Sequence, residues 1–198
     1  TPWREVNFIE IILPNKFRAS QLEPKLEELR SLNRKALISL ALEDPFPSEE
    51  ILKQFQEQRA DVLNFYANIR GRSSEGNIFI SDSIRKLHFD FVKKSIRDEI
   101  TIIGKGGIAA AAHVKKLIIC GADAVVLDLA LLVAMGCRVC RDCRAKSCPA
   151  ELEKLVPEFA KQRIVNLACA WRDQLLEVLS AMGIRDVRRL RGEAGRAM

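Results

Sequence analysis

Four cysteines within twelve residues carry the most distinctive chemistry of this 198-residue chain. They stand at Cys137, Cys140, Cys143 and Cys148, and a proline follows the last of them. The run is C-x2-C-x2-C-x4-C-P, which is close to the C-x2-C-x2-C-x3-C-P run of bacterial ferredoxins. Disulfide frameworks are typical of small secreted domains, which this chain is not. The spacing therefore favours reduced thiols that bind an iron–sulfur cluster.

Two other interpretations of the cysteine run compete with this one. A structural zinc site is the first, although zinc sites usually combine two separated cysteine pairs joined by a longer loop. Free thiols are the second. The number of irons is also open, because four thiolates suffice for a 4Fe-4S cluster and three leave the 3Fe-4S form. The other two cysteines, Cys120 and Cys169, lie in apolar helical patterns, where we expect buried packing roles.

The composition is that of an ordinary globular protein, with 48% hydrophobic and 29% charged residues. We predict no transmembrane span, and no signal peptide is recognisable. The net charge is +6, and the excess of basic residues lies around the cysteines and near the C-terminus. Because no aromatic residues interleave with these basic ones, we expect no nucleic-acid partner. Because the chain is neither small nor rich in loops, we expect reduced thiols and a cytoplasmic setting.

The elements that must position the cysteines alternate between strands and helices. Strands are predicted at 7–13, 36–42, 61–67, 100–104 and 124–129, with a strand-like piece or loop at 77–80. Helices are predicted at 22–32, 49–59 with Ser48 as N-cap, 87–97, 109–120, 131–136 and 158–182. This alternation indicates a parallel sheet with helical crossovers.

A complete (β/α)8 barrel needs about 250 residues, so the strands account for roughly half of one. We therefore predict an α/β fold, in which a partial TIM-barrel-like domain is followed by C-terminal helices. The predicted parts are a barrel-like domain at 1–136, a cysteine loop at 137–149 and a helical segment at 150–198.

A glycine pair lies where the fourth predicted strand ends. Lys105, Gly106 and Gly107 lead into the next helix, and a helix N-terminus of this kind favours phosphate. The second half of such a site would lie after the next strand, at Asp128 and Leu129. A carboxylate there disfavours phosphate unless a cation such as Lys105 offsets it, so the pattern argues against a conventional phosphate site.

The glycine pair, the helix after it and the cysteines together resemble one known family. The residues are Gly106-Gly107-Ile108, Cys120–Ala124, Ala130–Cys137 and the cysteines at 137, 143 and 148. They are similar to the FMN-binding synthase domain of glutamate synthases, whose cysteines are spaced C-x5-C-x4-C-P. The tail, from Arg163 to Arg185, resembles the closing helix of that family, and the likeness covers about residues 34–198.

The resemblance implies a (β/α)8 barrel that holds FMN and a 3Fe-4S cluster and makes glutamate from 2-oxoglutarate and ammonia. It implies that Cys137, Cys143 and Cys148 are cluster ligands, with Cys140 as an addition to the family pattern. It also places the flavin phosphate at Gly106-Gly107 and around Asp128-Leu129. The chain departs from the family at Asp128-Leu129, which replaces Gly-Thr, at the loop 70–76, and at Ser39, which stands where the family has a lysine.

The leading hypothesis is an iron–sulfur electron-transfer module of a glutamate-synthase-like redox protein. Its partners would be other redox subunits or the missing half of the barrel. The second hypothesis is an FMN-dependent glutamate synthase whose barrel another segment completes. The third is a zinc-stabilised interaction domain without redox chemistry. No catalytic residue is assigned from the sequence.

Overall fold

Five parallel strands form the sheet in the computed structural model, which describes residues 5–13, 22–43, 49–57, 59–73, 77–140, 143 and 148–193. They are β1 (Phe8–Leu13), β2 (Leu37–Leu42), β3 (Val62–Tyr66), β4 (Thr101–Lys105) and β5 (Ala124–Val126). The order in the sheet is β1-β2-β3-β4-β5, and every neighbouring pair is parallel. The predicted α/β class with a partial barrel is therefore confirmed.

A helix follows each strand, and a longer one closes the described chain. The helices are α1 (Leu22–Leu32), α2 (Glu49–Gln56), α3 (Ile80–Lys93), α4 (Ala111–Ile119), α5 (Leu129–Ala134) and α6 (Pro157–Ala181), with a final 3-10 turn at Val187–Leu190. Because parallel neighbours need a crossover, each of the first four helices returns the chain to the amino-terminal edge of the sheet.

The prediction for α3 was wrong at both ends. The helix begins at Ile80, seven residues before the predicted start, and ends at Lys93. The strand-like piece before it contributes only an isolated bridge between Arg72 and Phe79. Ile80, Ile84, Leu87 and Phe91 are all buried, so the helical period already extended back to Ile80.

The prediction for β5 was also too long, since the strand ends at Val126 and Asp128 begins α5. An aspartate directly before an apolar run is a usual helix start, so the sequence did hold this signal. The predicted N-cap of α2, Ser48, lies outside the described residues.

The core lies between the helices and one face of the sheet. Alternate strand residues such as Ile38, Leu40, Leu63 and Ile102 are fully buried there, against helix residues that include Leu26 and Leu87. Burial of such side chains contributes about 1.5–3 kcal/mol each. The opposite face, which would line the interior of a closed barrel, is partly open at its β1 end. Phe8, Ile12 and Leu37 are 49%, 67% and 51% exposed on it.

The segment after α6 is fixed to the amino-terminal edge of the sheet by an ion network. Asp123, directly before β5, accepts hydrogen bonds from Arg97 at 2.8 Å, from Arg191 at 2.7 Å and from the backbone N–H of Ile102 at 2.8 Å. Burial opposes ionisation of Asp123, but the hydrogen bonds from Ile102, Arg191 and Arg97 outweigh it and lower the pKa of this carboxyl group. The tail and the sheet therefore share one partly buried carboxylate.

His88 gives this network a dependence on pH. Its Nδ1 accepts a hydrogen bond from Arg97 Nε at 3.1 Å. Burial, followed by the charges of Arg97 and Arg191, lowers the pKa of His88 below its usual 6.5. As the pH falls, His88 therefore takes up a proton in the unfolded chain before it does so in the folded chain. The free energy of unfolding should fall as the pH drops below about 6.5. Urea denaturation at about pH 7.5 and about pH 5.5 measures the difference, which His88→Gln should reduce. An equal difference in the wild type and the variant would contradict this role.

Candidate functional site

The two predicted halves of a phosphate site lie side by side at the carboxyl edge of the sheet. The register of β4 and β5 pairs Lys105 with Val126. The turn at Gly106-Gly107 and the residues Asp128-Leu129 are therefore neighbours at the end of adjacent strands, which is where barrels of this type place their ligands. This proximity is necessary for a flavin phosphate site, and the chemistry of each half decides whether it is sufficient.

The glycine pair is required by contact between two loops. Gly106 and Gly107 have φ angles of +107° and +69°, which L side chains rarely adopt. A Cβ atom on Gly106 would lie 2.2 Å from the carbonyl oxygen of Ala67, and one on Gly107 would lie 2.4 Å from the backbone nitrogen of Gly71. The space in which a Cβ atom of either residue would lie is thus filled by the loop after β3. The glycines are explained without a ligand.

Replacing Gly106 with alanine should therefore destabilise the chain strongly. Gly183→Ala is the matched control, because Gly183 also has a positive φ, +66°, but a Cβ atom there would meet nothing within 4 Å. The control should lose about 1 kcal/mol in free energy of unfolding from the backbone conformation alone. Gly106→Ala should lose about 2 kcal/mol more from the clash. Chemical denaturation measures both, and equal losses would contradict the contact described here.

A small cavity of about 140 Å³ lies beside the glycine pair. Arg70, His113 and Lys116 line it together with Gly106, Gly107 and neighbouring residues. Ligand sites for molecules of drug size usually span about 300–1,000 Å³, so this cavity is too small for a whole flavin. It is large enough for one anionic group beside two cationic side chains.

At the second half of the predicted phosphate site, Asp128 occupies the backbone N–H of Leu129, which would otherwise be free to bind a phosphate. It is the N-cap of α5, and its carboxylate accepts a hydrogen bond from the N–H of Leu129. An anion is thus already bound at this helix start. Asp128 and Leu129 do not fit the phosphate of a flavin, in agreement with the objection raised by the sequence.

The cysteine segment follows α5 directly. Cys137 and Cys148 are half-buried, Cys140 and Cys143 are exposed, and all six cysteines of the chain are free thiols. Residues 141–142 and 144–147 lie outside the described residues. Within the described ranges, no group of three or more Cys, His, Asp or Glu side chains is close enough to hold a metal ion. The ligand set drawn from the spacing therefore stays a prediction.

The backbone around Cys137 is already arranged towards its sulfur. The Sγ atom of Cys137 accepts a hydrogen bond from the N–H of Val139 at 3.4 Å. Val139 has a φ of +54°, a left-handed conformation that is a true outlier for a β-branched residue. Such strained residues cluster at ligand sites, and hydrogen bonds to cluster sulfurs raise the reduction potential. The first predicted ligand thus already accepts a backbone hydrogen bond at its sulfur.

Arg163 connects the cysteine segment to the closing helix. Its Nε donates a hydrogen bond at 2.7 Å to the carbonyl oxygen of Ala134, the last residue of α5. This bond neutralises part of the helix C-terminal charge and fixes the start of the cysteine segment against α6. The sequence places Arg163 in the closing helix, but nothing in its pattern predicts which carbonyl group a long side chain will reach.

The remaining two cysteines differ from each other. Cys120 is half-buried against the core, and burial raises the pKa of its thiol. Cys169 is exposed on α6, so its predicted packing role was wrong. The reason is that α6 buries only Leu179 among its 25 residues. None of the helices within the described ranges combines the length and apolarity needed to cross a membrane.

Comparison of the sequence with known families finds one that spans most of the chain. The family described as "Conserved region in glutamate synthase" matches residues 15–185. The archaeal glutamate synthase [NADPH] of Methanocaldococcus jannaschii is 40% identical over 112 residues, which are 52% of this chain and 22% of the relative. The glutamate synthase [NADPH] large chain of Azospirillum brasilense is 20% identical over 189 residues, which are 89% of this chain and 12% of the relative.

Solved structures with a TIM-barrel-like fold superpose on this chain. A mutant flavocytochrome b2 with pyruvate bound superposes with a TM-score of 0.61 at 16% identity, over 90% of this chain and 38% of that chain. DHODH from Eimeria tenella in complex with ferulenol gives a TM-score of 0.59 at 16% identity, over 98% of this chain and 55% of that chain. At this identity the likeness concerns the fold alone. The chain spans about a fifth or less of the length of the curated relatives described above.

Proposed function

The chain belongs to the glutamate synthase family, and we propose that it is an iron–sulfur electron-transfer module within a larger redox protein of that family. The observation that carries the proposal is the cysteine segment, in which Cys137 accepts a backbone hydrogen bond from the strained Val139. We propose Cys137, Cys140, Cys143 and Cys148 as the cluster ligands. A bound cluster would accept and release single electrons.

The residues around the segment contribute binding, charge and orientation. Cys137 and Cys148 are half-buried, whereas Cys140 and Cys143 are exposed, so the cluster would sit at the surface with one side open to a partner. The basic side chain of Arg138 is next to the first thiolate in the sequence and would offset part of the negative charge. The hydrogen bond from Arg163 fixes Ala134 at the end of α5, three residues before the first proposed ligand.

The partners follow from the small share of the relatives that the chain represents. It corresponds to 22% of the archaeal relative and 12% of the Azospirillum large chain. We propose that the barrel-like part (1–136) and the helical part (150–198) hold the cysteine loop (137–149) for electron exchange with other redox subunits or with the rest of the barrel.

An FMN-dependent glutamate synthase activity is the second candidate, and it is supported by family membership. Lys105, Gly106 and Gly107 are the residues that would meet the flavin phosphate. The observation against it is Asp128, whose carboxylate already occupies the adjacent helix start. Since Asp128 and Leu129 do not fit the group, no step of the proposed function passes through a flavin.

The proposal is tested by the composition and spectrum of protein purified without oxygen. We expect iron and acid-labile sulfide in a cluster ratio, with little extractable flavin. Zinc alone would support the non-redox interaction domain instead. Stoichiometric yellow flavin would support the synthase. Protein without iron even after reconstitution would contradict the module.

Cys140 decides between the two cluster types. If it is a ligand, the wild-type protein should hold a 4Fe-4S cluster, because four thiolates suffice for it. Cys140→Ser should then leave three thiolates and convert the protein to the 3Fe-4S form. Electron paramagnetic resonance of the oxidised protein distinguishes the two, since only the 3Fe-4S form is paramagnetic there. Identical spectra for both proteins would exclude Cys140 as a ligand.

A further inference from the structure

The small cavity beside the glycine pair is distinct from the predicted flavin phosphate site. Its lining residues come from the loop after β3, the start of α3, the glycine turn and α4, and none of them comes from β5 or α5. Because β3 and β5 lie on opposite sides of β4, the cavity and Asp128 flank the glycine turn from opposite sides. Whatever this cavity binds therefore does not compete with the carboxylate of Asp128.

Ser81 supplies a buried donor without a partner. It is only 6% exposed and lines the cavity. Within the ranges that the structure describes, its hydroxyl group makes no hydrogen bond and is not enclosed by protein atoms, so it is open to the cavity. Buried side-chain hydroxyl groups nearly always have a hydrogen-bond partner. The partner of Ser81 must therefore lie inside the cavity.

The first turn of α3 adds a backbone donor beside this hydroxyl group. The N-cap residue, Phe79, has no side-chain oxygen that could cap the helix. The N–H of Ile80 donates to the loop after β3 at 2.9 Å, whereas that of Ser81 has no acceptor among the described residues. Free N–H groups and the positive end of the helix dipole favour an anion here. Asp82 does not line the cavity, and it bonds with Arg85 at 3.4 Å.

Cationic side chains complete the surroundings. Arg70 and Lys116 line the cavity, and none of its described lining residues is acidic. The ammonium group of Lys116 lies 6.0 Å from the ring centre of Phe79, so it reaches from α4 to the start of α3. The guanidinium group of Arg72 stacks on the same ring at 3.7 Å. His113 contacts the backbone of the turn before α4 through Nδ1 at 3.1 Å, which leaves Nε2 as its available nitrogen.

We propose that this cavity binds a phosphate group, either as the free ion or as the terminal group of a small phosphate ester. Donors converge on it from three elements, with Arg70 from the loop after β3, Ser81 from α3 and Lys116 from α4. A tetrahedral dianion accepts hydrogen bonds from several directions and matches two cations, whereas a carboxylate offers two oxygens in one plane and a single charge. The volume of about 140 Å³ accommodates such a group and little more. The site contains no cysteine, so it does not depend on the proposed cluster.

Calorimetric titration of the full chain with inorganic phosphate, at constant ionic strength, tests the site. We expect saturable binding of one ion per chain. Ser81→Ala and Lys116→Gln should each raise the dissociation constant about tenfold or more, because each removes a hydrogen bond to a charged group. Glycerol phosphate is titrated in parallel. Tighter binding of the ester than of the free ion identifies an ester as the natural ligand, and weaker binding identifies the free ion.

Two neighbouring residues provide matched controls. Lys115→Gln removes the same charge from α4 at a position that does not line the cavity. Ser83→Ala removes a buried hydroxyl group of α3 that already donates to the carbonyl oxygen of Phe79 at 3.5 Å. Both should leave the dissociation constant within about twofold of the wild type, since general attraction by net charge is screened by salt. Circular dichroism confirms that each variant is folded.

Three outcomes would overturn the proposal. The first is the absence of saturable phosphate binding. The second is an equal loss of affinity in the Lys115→Gln and Lys116→Gln proteins, which would indicate attraction to net charge alone. The third is stronger phosphate binding in an Asp128→Asn protein with no effect of Ser81→Ala, which would place the ion between β4 and β5 instead. Iron content is measured separately, so that loss of the cluster and loss of the phosphate site are distinguished.

Discussion

Replacing Cys143 with serine should abolish the iron and sulfide content of the anaerobically purified protein. Cys143 belongs to both spacings that the segment contains, the family's C-x5-C-x4-C and the ferredoxin-like C-x2-C-x2-C. Loss of Cys140 leaves the C-x5-C-x4-C spacing intact, whereas loss of Cys143 destroys both spacings, so we expect neither cluster type to assemble without Cys143. Serine is not ionised at neutral pH, so it cannot replace the thiolate. We expect iron content to fall at least about tenfold, since loss of even an outer-shell partner can cost that much in metal affinity.

The matched control for this substitution is Cys169→Ser. Cys169 is an exposed free thiol, as Cys143 is, but it lies on α6 outside the cysteine segment. Its replacement should leave the iron and sulfide content unchanged. Equal iron content in the Cys143→Ser and Cys169→Ser proteins would contradict the assignment of the ligands. Equal loss in both would indicate that the metal is bound adventitiously by exposed thiols.

The sheet could be predicted from the sequence because its signals are local. Each strand is a short apolar run bounded by polar or glycine residues, and α1 shows its period within eleven residues. The start of α3 was missed because Ile80 follows a polar loop and ends a short run, 77–80, that also suits a strand. Tertiary packing against the core decided in favour of the helix.

The candidate sites depend on contacts between distant residues, which the sequence does not display. The glycine pair at 106–107 has the composition of a phosphate loop, yet its glycines are required by close contact with the backbone of Ala67 and Gly71 in another loop. Likewise, Asn64 donates a hydrogen bond to Glu10, and these two residues are 54 positions apart in the sequence. Asp128 was the exception. The sequence already indicated that its carboxylate disfavours a phosphate, and the structure shows that this carboxylate accepts the hydrogen bond of the Leu129 N–H.

Replacing Asp123 with asparagine should destabilise the chain by about 3 kcal/mol at neutral pH. The substitution keeps the shape of the side chain and removes the charge that two arginines share. Arg97, which is only 5% exposed, would then be a buried cation with neutral acceptors alone, namely the carbonyl groups of Ile100 and Gly121, His88 Nδ1 and the side chain of residue 123. Because the pKa of Asp123 is lowered in the folded chain, its contribution is present in full above about pH 3.8 and is lost only as the pH falls further. Neutral pH therefore measures the whole effect.

Asp173→Asn is the control that separates this network from an ordinary surface pair. Asp173 contacts Arg172 at 3.2 Å, but the two side chains are 67% and 72% exposed. Pairs of this kind contribute between about 0 and 1 kcal/mol, so the control should unfold at nearly the wild-type urea concentration. A loss at Asp123 no larger than that at Asp173 would mean that water reaches Arg97 when its partner is removed. The tail would then be attached to the sheet by packing of Ile184 and Leu190 against α4 rather than by the shared carboxylate.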